Sequence, residues 1–131
     1  MVERIFTGRM ADAIAAARAG GLATEANDRS PLPETIETRM ADRVNKRTAS
    51  EAARPTGTLD AAAAWQVVED GHRQLRTLVA KADGLALGEV MVEHPFFGPL
   101  SVYQFIELMA AHEARHTEQI QEIAHTFAGR T

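Results

Sequence analysis

Apolar residues recur at three- and four-residue intervals in four stretches of this chain, and each stretch predicts a helix with one face to bury. Val2, Ile5, Phe6, Met10, Ile14 and Ala17 draw the first stripe, which runs to about residue 18, where Gly20-Gly21 stops it. That stripe is in full register at Val2 with no capping residue before it, so the chain reads as starting inside a helix. Residues 22–33 carry Asn, Asp, Ser and two prolines without a period and predict a loop over the surface. Ile36, Met40 and Val44 then give a narrow apolar seam to a shorter helix from about 34 to 47, a crossing segment more than a main pillar.

After the turn-rich SEAARPTG, Thr58 or Asp60 is placed to cap a long helix through about residue 82. Ala61, Trp65, Val68, His72, Leu75 and Val79 share its inward face. Residues 83–100 end in HPFFGPL, whose two prolines and glycine predict an irregular connection in which Phe96 and Phe97 are the groups to bury. Ser101 followed by Gln104 forms a capping box, so the last helix has a sharp start and runs to about residue 128. No stretch alternates apolar and polar residues over four or more positions. The expected class is all-α, with three long helices and one short one.

Composition supports this reading. At 131 residues, 45% hydrophobic and 24% charged, the chain has the size and balance of one domain, 1–131, around one core. Alanine runs such as AIAAARA at 13–19 and AAAA at 61–64 favour helices, because alanine loses no side-chain entropy there. The net charge of -4 arises from 18 acidic and 14 basic residues that are well mixed, with lysine only at Lys46 and Lys81, so a nucleic-acid partner is not expected. With no cysteine, the chain has no disulfide, no thiolate metal ligand and no thiol nucleophile of its own. Charges interrupt the N-terminal MVERIFTGRM, and no segment approaches the roughly 18 apolar residues that span a bilayer, so neither a signal peptide nor a membrane partner is expected and the cytoplasm is the expected compartment.

Chemistry concentrates in HEARH, residues 112–116, which fits the H-E-x-x-H pattern of zinc peptidases. At 100° per residue, Phe105, Met109, His112, His116, Ile120, Ile123 and Phe127 fall within a sector of roughly 80°, so both histidines lie on the core-facing stripe. Two imidazoles one turn apart are costly to satisfy separately in an apolar stripe, and one divalent metal satisfies both, which makes His112 and His116 candidate ligands; two core histidines hydrogen-bonded singly are the plainer alternative. His72, on the inward face of the preceding helix, is a weaker candidate for the same cavity. Arg115 and Gln119 flank the stripe on one edge and Glu113 on the other, a rim that snorkels to water unless Glu113 or Arg115 orients an imidazole or a bound anion. Glu107, Glu118, Glu122 and His125 fall on the opposite, solvated face.

The peptidase reading fails on its third ligand. The extended zincin pattern requires Gly and His where Gln119 and Glu122 stand. Only 15 residues follow His116, too few to add a downstream helix with a ligating glutamate.

The stretch HPFFGPLSVYQFIELMAAHEARHTEQIQEI, residues 94–123, resembles the last helix and its lead-in in the DinB/YfiT-like superfamily, through HPxFGPL, a following Q, and H-x-x-R-H-x-x-Q-I at the family's spacing. RPTGTLD at 54–60 is similar to the approach to that family's third helix, and VERIF at 2–6 to the middle of its second. The resemblance implies a four-helix bundle, often dimeric, with a divalent metal, commonly zinc or nickel, held by three histidines in an apolar cavity. It further implies a metal-dependent hydrolase, or a transferase or isomerase using a small thiol such as mycothiol or bacillithiol, acting on a small-molecule substrate. His112 and His116 match the two ligands of the last helix. Glu113 stands where that family varies.

In the family the third ligand precedes the VERIF-like segment, so the expectation is a chain lacking the first helix, the start of the second and that histidine. His72 or a partner chain then becomes the candidate third nitrogen. Exposure of Val2, Phe6 and Met10 in an open groove would favour a homodimer. The alternative to the metal-dependent reading is accordingly a non-catalytic helical dimerisation module with a degenerate site.

Overall fold

The computed structural model describes residues 2–21, 24, 31–42, 44, 45, 48, 51, 54 and 57–129. In chain order it has helix α1 (Val2–Ala19), helix α2 (Glu34–Ala41), helix α3 (Ala61–Lys81), strands β1 (Met91–His94) and β2 (Gly98–Ser101), and helix α4 (Val102–Ala128). Among the described residues there are three long helices and one short one, as the periodicity predicts, and the fold is all-α with one small hairpin.

The helix ends follow local chemistry. Past Ala19 the chain turns through Gly20 and Gly21, the latter at φ +80, a left-handed conformation that costs glycine nothing. Asp60, not Thr58, caps α3: its carboxylate accepts the Ala63 amide at 2.8 Å. At α4 the capping box forms in full, Ser101 Oγ accepting from the Gln104 amide at 3.2 Å and Gln104 Oε1 from the Ser101 amide at 3.0 Å.

Two expectations about secondary structure are corrected. Helix α2 ends at Ala41 rather than near residue 47, because the Asp42 carboxylate accepts the amides of Val44 and Asn45 at 2.9 and 3.2 Å and offers the backbone a turn in place of another helical bond. Val44, placed on the seam, is 88% exposed, and residues 43, 46 and 47 lie outside the described residues. The second correction is the hairpin in the 83–100 connection, pairing Met91 with Ser101 through His94 with Gly98. Pro99 is tolerated because it sits on an edge strand whose outer side needs no amide donor, and Gly98 closes the three-residue loop at φ +73. The loop predicted over 22–33 falls largely outside the described residues; at its end, Leu32 donates its amide to Glu107 Oε2 at 2.5 Å and Pro31 O accepts from Gln104 Nε2 at 3.1 Å. Glu107, expected only to face solvent, thus fastens the start of α2 to α4.

Helix α1 packs on α3 and β1, and α4 packs on α2 and both strands. The core gathers where these meet, from Met10 and Ile14 of α1, Leu32, Ile36, Val92, Leu100, Val102, Phe105 and Leu108. Met10 is fully buried and Phe6 half-buried against Phe105 and His94, so the open groove expected at Phe6 and Met10 is closed; the Val2 side chain lies outside the described residues. The stripes of α3 and α4 run past this core without cover. Trp65, Ile120, Ile123 and Phe127 are 64%, 67%, 57% and 66% exposed, against the expectation that they face inward.

Candidate functional site: a histidine pair at the edge of the core

The capping box sets the phase of α4. With Phe105 wholly buried, His112 lies two turns on along the same face and His116 one turn further. The core ends between them: His112 is half-buried and His116 exposed, so the expected placement of both in the buried stripe holds in part for His112 and is corrected for His116.

Their Nε2 atoms face each other at 3.0 Å, with ring centroids 4.5 Å apart and planes at 81°. The outer nitrogen of His116, Nδ1, lies 2.6 Å from Gln119 Oε1. An amide oxygen only accepts, so His116 carries a proton on Nδ1, and in the neutral ring its Nε2 then presents a lone pair to the Nε2–H of His112. The pKa of His112 is lowered, first by burial and then by the neighbouring His116 and Arg115 charges, which favours the neutral imidazole.

His72 Nε2 lies 3.0 and 3.1 Å from the two carboxylate oxygens of Glu113, joining α3 to α4. That interaction holds the nitrogen expected as a third ligand, and the structure does not bring His72 to the His112–His116 pair. Arg115 Nη1 donates to the carbonyls of Met40, at 2.8 Å, and Asp42, where a cation offsets the negative end of α2. His125 is exposed, as expected.

Two residues contribute that the sequence reading did not assign. Gln119 appears there only at the edge of the stripe and as the Q of H-x-x-R-H-x-x-Q-I, which was the available signal. His94, read only as part of HPFFGPL, is 8% exposed, stacked on Phe97 at 4.8 Å and flanked by Phe6 and Phe105 at 5.2 and 5.7 Å. Its Nδ1 accepts the Phe96 amide at 3.2 Å, a bond only a neutral ring can make. Burial, then the charges of Arg9 and His112, lower its pKa.

Two nitrogens bound to one ion at about 2.0–2.1 Å each are at most about 4 Å apart, so a 3.0 Å separation suits a shared divalent cation. Among the described residues no group of three histidines or carboxylates converges in this way. A depression of about 250 Å³ between α2 and α4 is lined by Met40, Ala41, Ala111, Ala114 and Arg115 with Glu37 and Glu118, and the histidines do not line it. No described helix is long and apolar enough to cross a membrane.

Comparison with known proteins returns no matching curated protein and no matching solved structure. The family model described as the DinB superfamily does match, over residues 2–120, almost the whole chain including His112 and His116, and the chain belongs to that superfamily.

Proposed function

We propose that the chain is a metal-binding DinB-like protein in which His112 and His116 hold a divalent ion, zinc or nickel, and that it acts as a metal-dependent hydrolase or a thiol-dependent S-transferase on a small molecule. The observation that carries this reading is the convergence of the two Nε2 atoms at 3.0 Å, at the point where α4 leaves the core and solvent or a substrate has access. A divalent ion held by His112 and His116 would supply a positive charge that favours deprotonation of a bound water or thiol, which matters in a chain with no cysteine. Imidazole binds metal in its neutral form, which burial favours at His112.

The other residues have supporting parts. Glu113, adjacent to His112 in sequence and paired with His72, is assigned as the proton acceptor for a group bound at the histidines. His72 orients that carboxylate and becomes a third nitrogen donor only on leaving it. Arg115 holds α2 against the flank of α4.

Metal analysis tests the proposal. Protein loaded with zinc or nickel and desalted should retain about one ion per chain, or per pair of chains if two copies share it, and His116→Ala should lose it. Wild-type protein that retains no ion under these conditions would remove the metal-dependent reading.

One observation favours the second reading, a dimerisation module: Trp65, Ile120, Ile123 and Phe127 leave an apolar surface at solvent. Sedimentation separates the readings, because a dimer that forms equally well in His116→Ala, with no metal in either protein, supports the module.

A further inference from the structure

We infer that Gln119 is a positioning residue that fixes the tautomer of His116, so that its Nε2 lone pair is turned toward His112 before any ligand arrives. This rests on the reading of the histidine pair as a metal site, but its first consequence is a property of the metal-free chain.

A neutral imidazole carries one N–H, on either ring nitrogen, and binds a cation only through the other. Left to itself, an exposed histidine samples both tautomers and several ring rotations, and a ligand must select one. His116 is exposed, so packing does not make that selection. The 2.6 Å contact of its Nδ1 with Gln119 Oε1 does. It is a contact between residues three apart on one helix, a spacing that lets the two side chains meet without a residue from another helix. With the proton held on Nδ1, the Nε2 lone pair points along the 3.0 Å vector to His112.

His112 is constrained differently. Its ring is half-buried, and its Nε2–H is the donor in that vector, so this proton is the one displaced when a cation takes the place of the imidazole–imidazole hydrogen bond. Cation uptake would therefore relocate one proton at His112, from Nε2 to Nδ1, and leave His116 unchanged. Gln119 makes the two histidines inequivalent: one is ready as it stands and the other must move a proton.

The test uses the full chain, labelled with 15N and stripped with chelator, at a pH where both rings are neutral. Long-range proton–nitrogen correlation spectra should show His116 with a protonated Nδ1 and a bare Nε2. In Gln119→Leu the bare-Nε2 form should lose its dominance, and zinc affinity measured by titration calorimetry should fall by about 10- to 100-fold. Gln119→Glu, which accepts the same N–H, should restore both the tautomer and the affinity, an outcome that a general role in helix stability would not produce. A wild-type His116 protonated on Nε2, or a tautomer unchanged in Gln119→Leu, would overturn the inference. Absence of zinc binding in wild type with the expected tautomer present would overturn the metal reading and leave Gln119's role standing.

Discussion

Phe105 and Leu108, near the start of α4, are 0% and 3% exposed, while Ile120 and Phe127, further along the same stripe, are 67% and 66% exposed. The apolar period is continuous through both halves, so the difference comes from what lies opposite. The first half meets the hairpin and Phe6 of α1, and α2 flanks α4 as far as Arg115 and Glu118, whereas Ile120, Ile123 and Phe127 are left exposed. A hydrophobic stripe specifies which face of a helix seeks cover and carries no information about where the cover ends. The histidines occupy this boundary, which gives one of them a protein environment and the other a largely aqueous one.

Truncation of matched residues in the two halves is the strongest test of this contrast. Phe105→Ala should destabilise the fold by about 3–5 kcal/mol, because the ring loses its transfer free energy and leaves a cavity that a packed core fills only in part. Phe127→Ala should change stability by no more than about 0.5 kcal/mol, the usual range for a surface site. Urea denaturation of both variants provides the comparison. A loss at Phe127 approaching that at Phe105, and growing with protein concentration, would mean that the second half is covered by another copy in solution.

The same boundary separates what the sequence made legible from what it did not. Residue-local features were readable: the capping box at Ser101, the Asp60 cap, the glycine stop after α1 and the phase of the stripe on α4 each depend on neighbours within one turn. Helix α2 was overextended because its seam continues to Val44, while the Asp42 side chain ends the helix by a competing hydrogen bond that a hydrophobic period does not register. The hairpin escaped because its strands are four residues each and Val92 and His94 are the only inward positions on β1. At the site, the His112–His116 spacing was legible for the same local reason as the caps. The pairing of His72 with Glu113, 41 residues away, depends on how α3 crosses α4. The proximity of His94 depends on where the hairpin docks, and no periodicity encodes either.

Acidification tests the covered half alone. His94 is held neutral by its surroundings, so its folded pKa lies below the ordinary imidazole value of about 6.5, with burial as the main cause. The unfolded chain then takes up this proton first, and stability falls as protons bind to it. The contribution of His94 is therefore fully present above about pH 6.5 and is lost as pH drops from there through the lower folded pKa. The half-buried His112 adds in the same direction. Chemical denaturation of chelator-treated protein should show stability declining below pH 6.5, and His94→Asn should flatten that decline whatever its absolute stability. An equally steep profile in His94→Asn would assign the acid sensitivity elsewhere and weaken the picture of a dry half-core around the hairpin.

The smallest expected effect lies at the junction of the two halves. The His72 and Glu113 side chains are 34% and 47% exposed, so water and salt screen their attraction, and Glu113→Gln, which keeps a hydrogen-bonding group of the same shape, should cost about 0.5 kcal/mol or less. High salt should leave even that difference unmeasurable. The value of the measurement lies in its sensitivity to cover. Were another chain to seal α3 against α4 and exclude water from the pair, Glu113→Gln would strand a buried histidine without its carboxylate, and the cost would rise toward the 3–5 kcal/mol typical of a broken buried pair. A small, salt-screened effect together with a tolerated Phe127→Ala places the histidine site at a solvent-facing edge, open to a small molecule. A large, salt-insensitive one places it at an interface between chains.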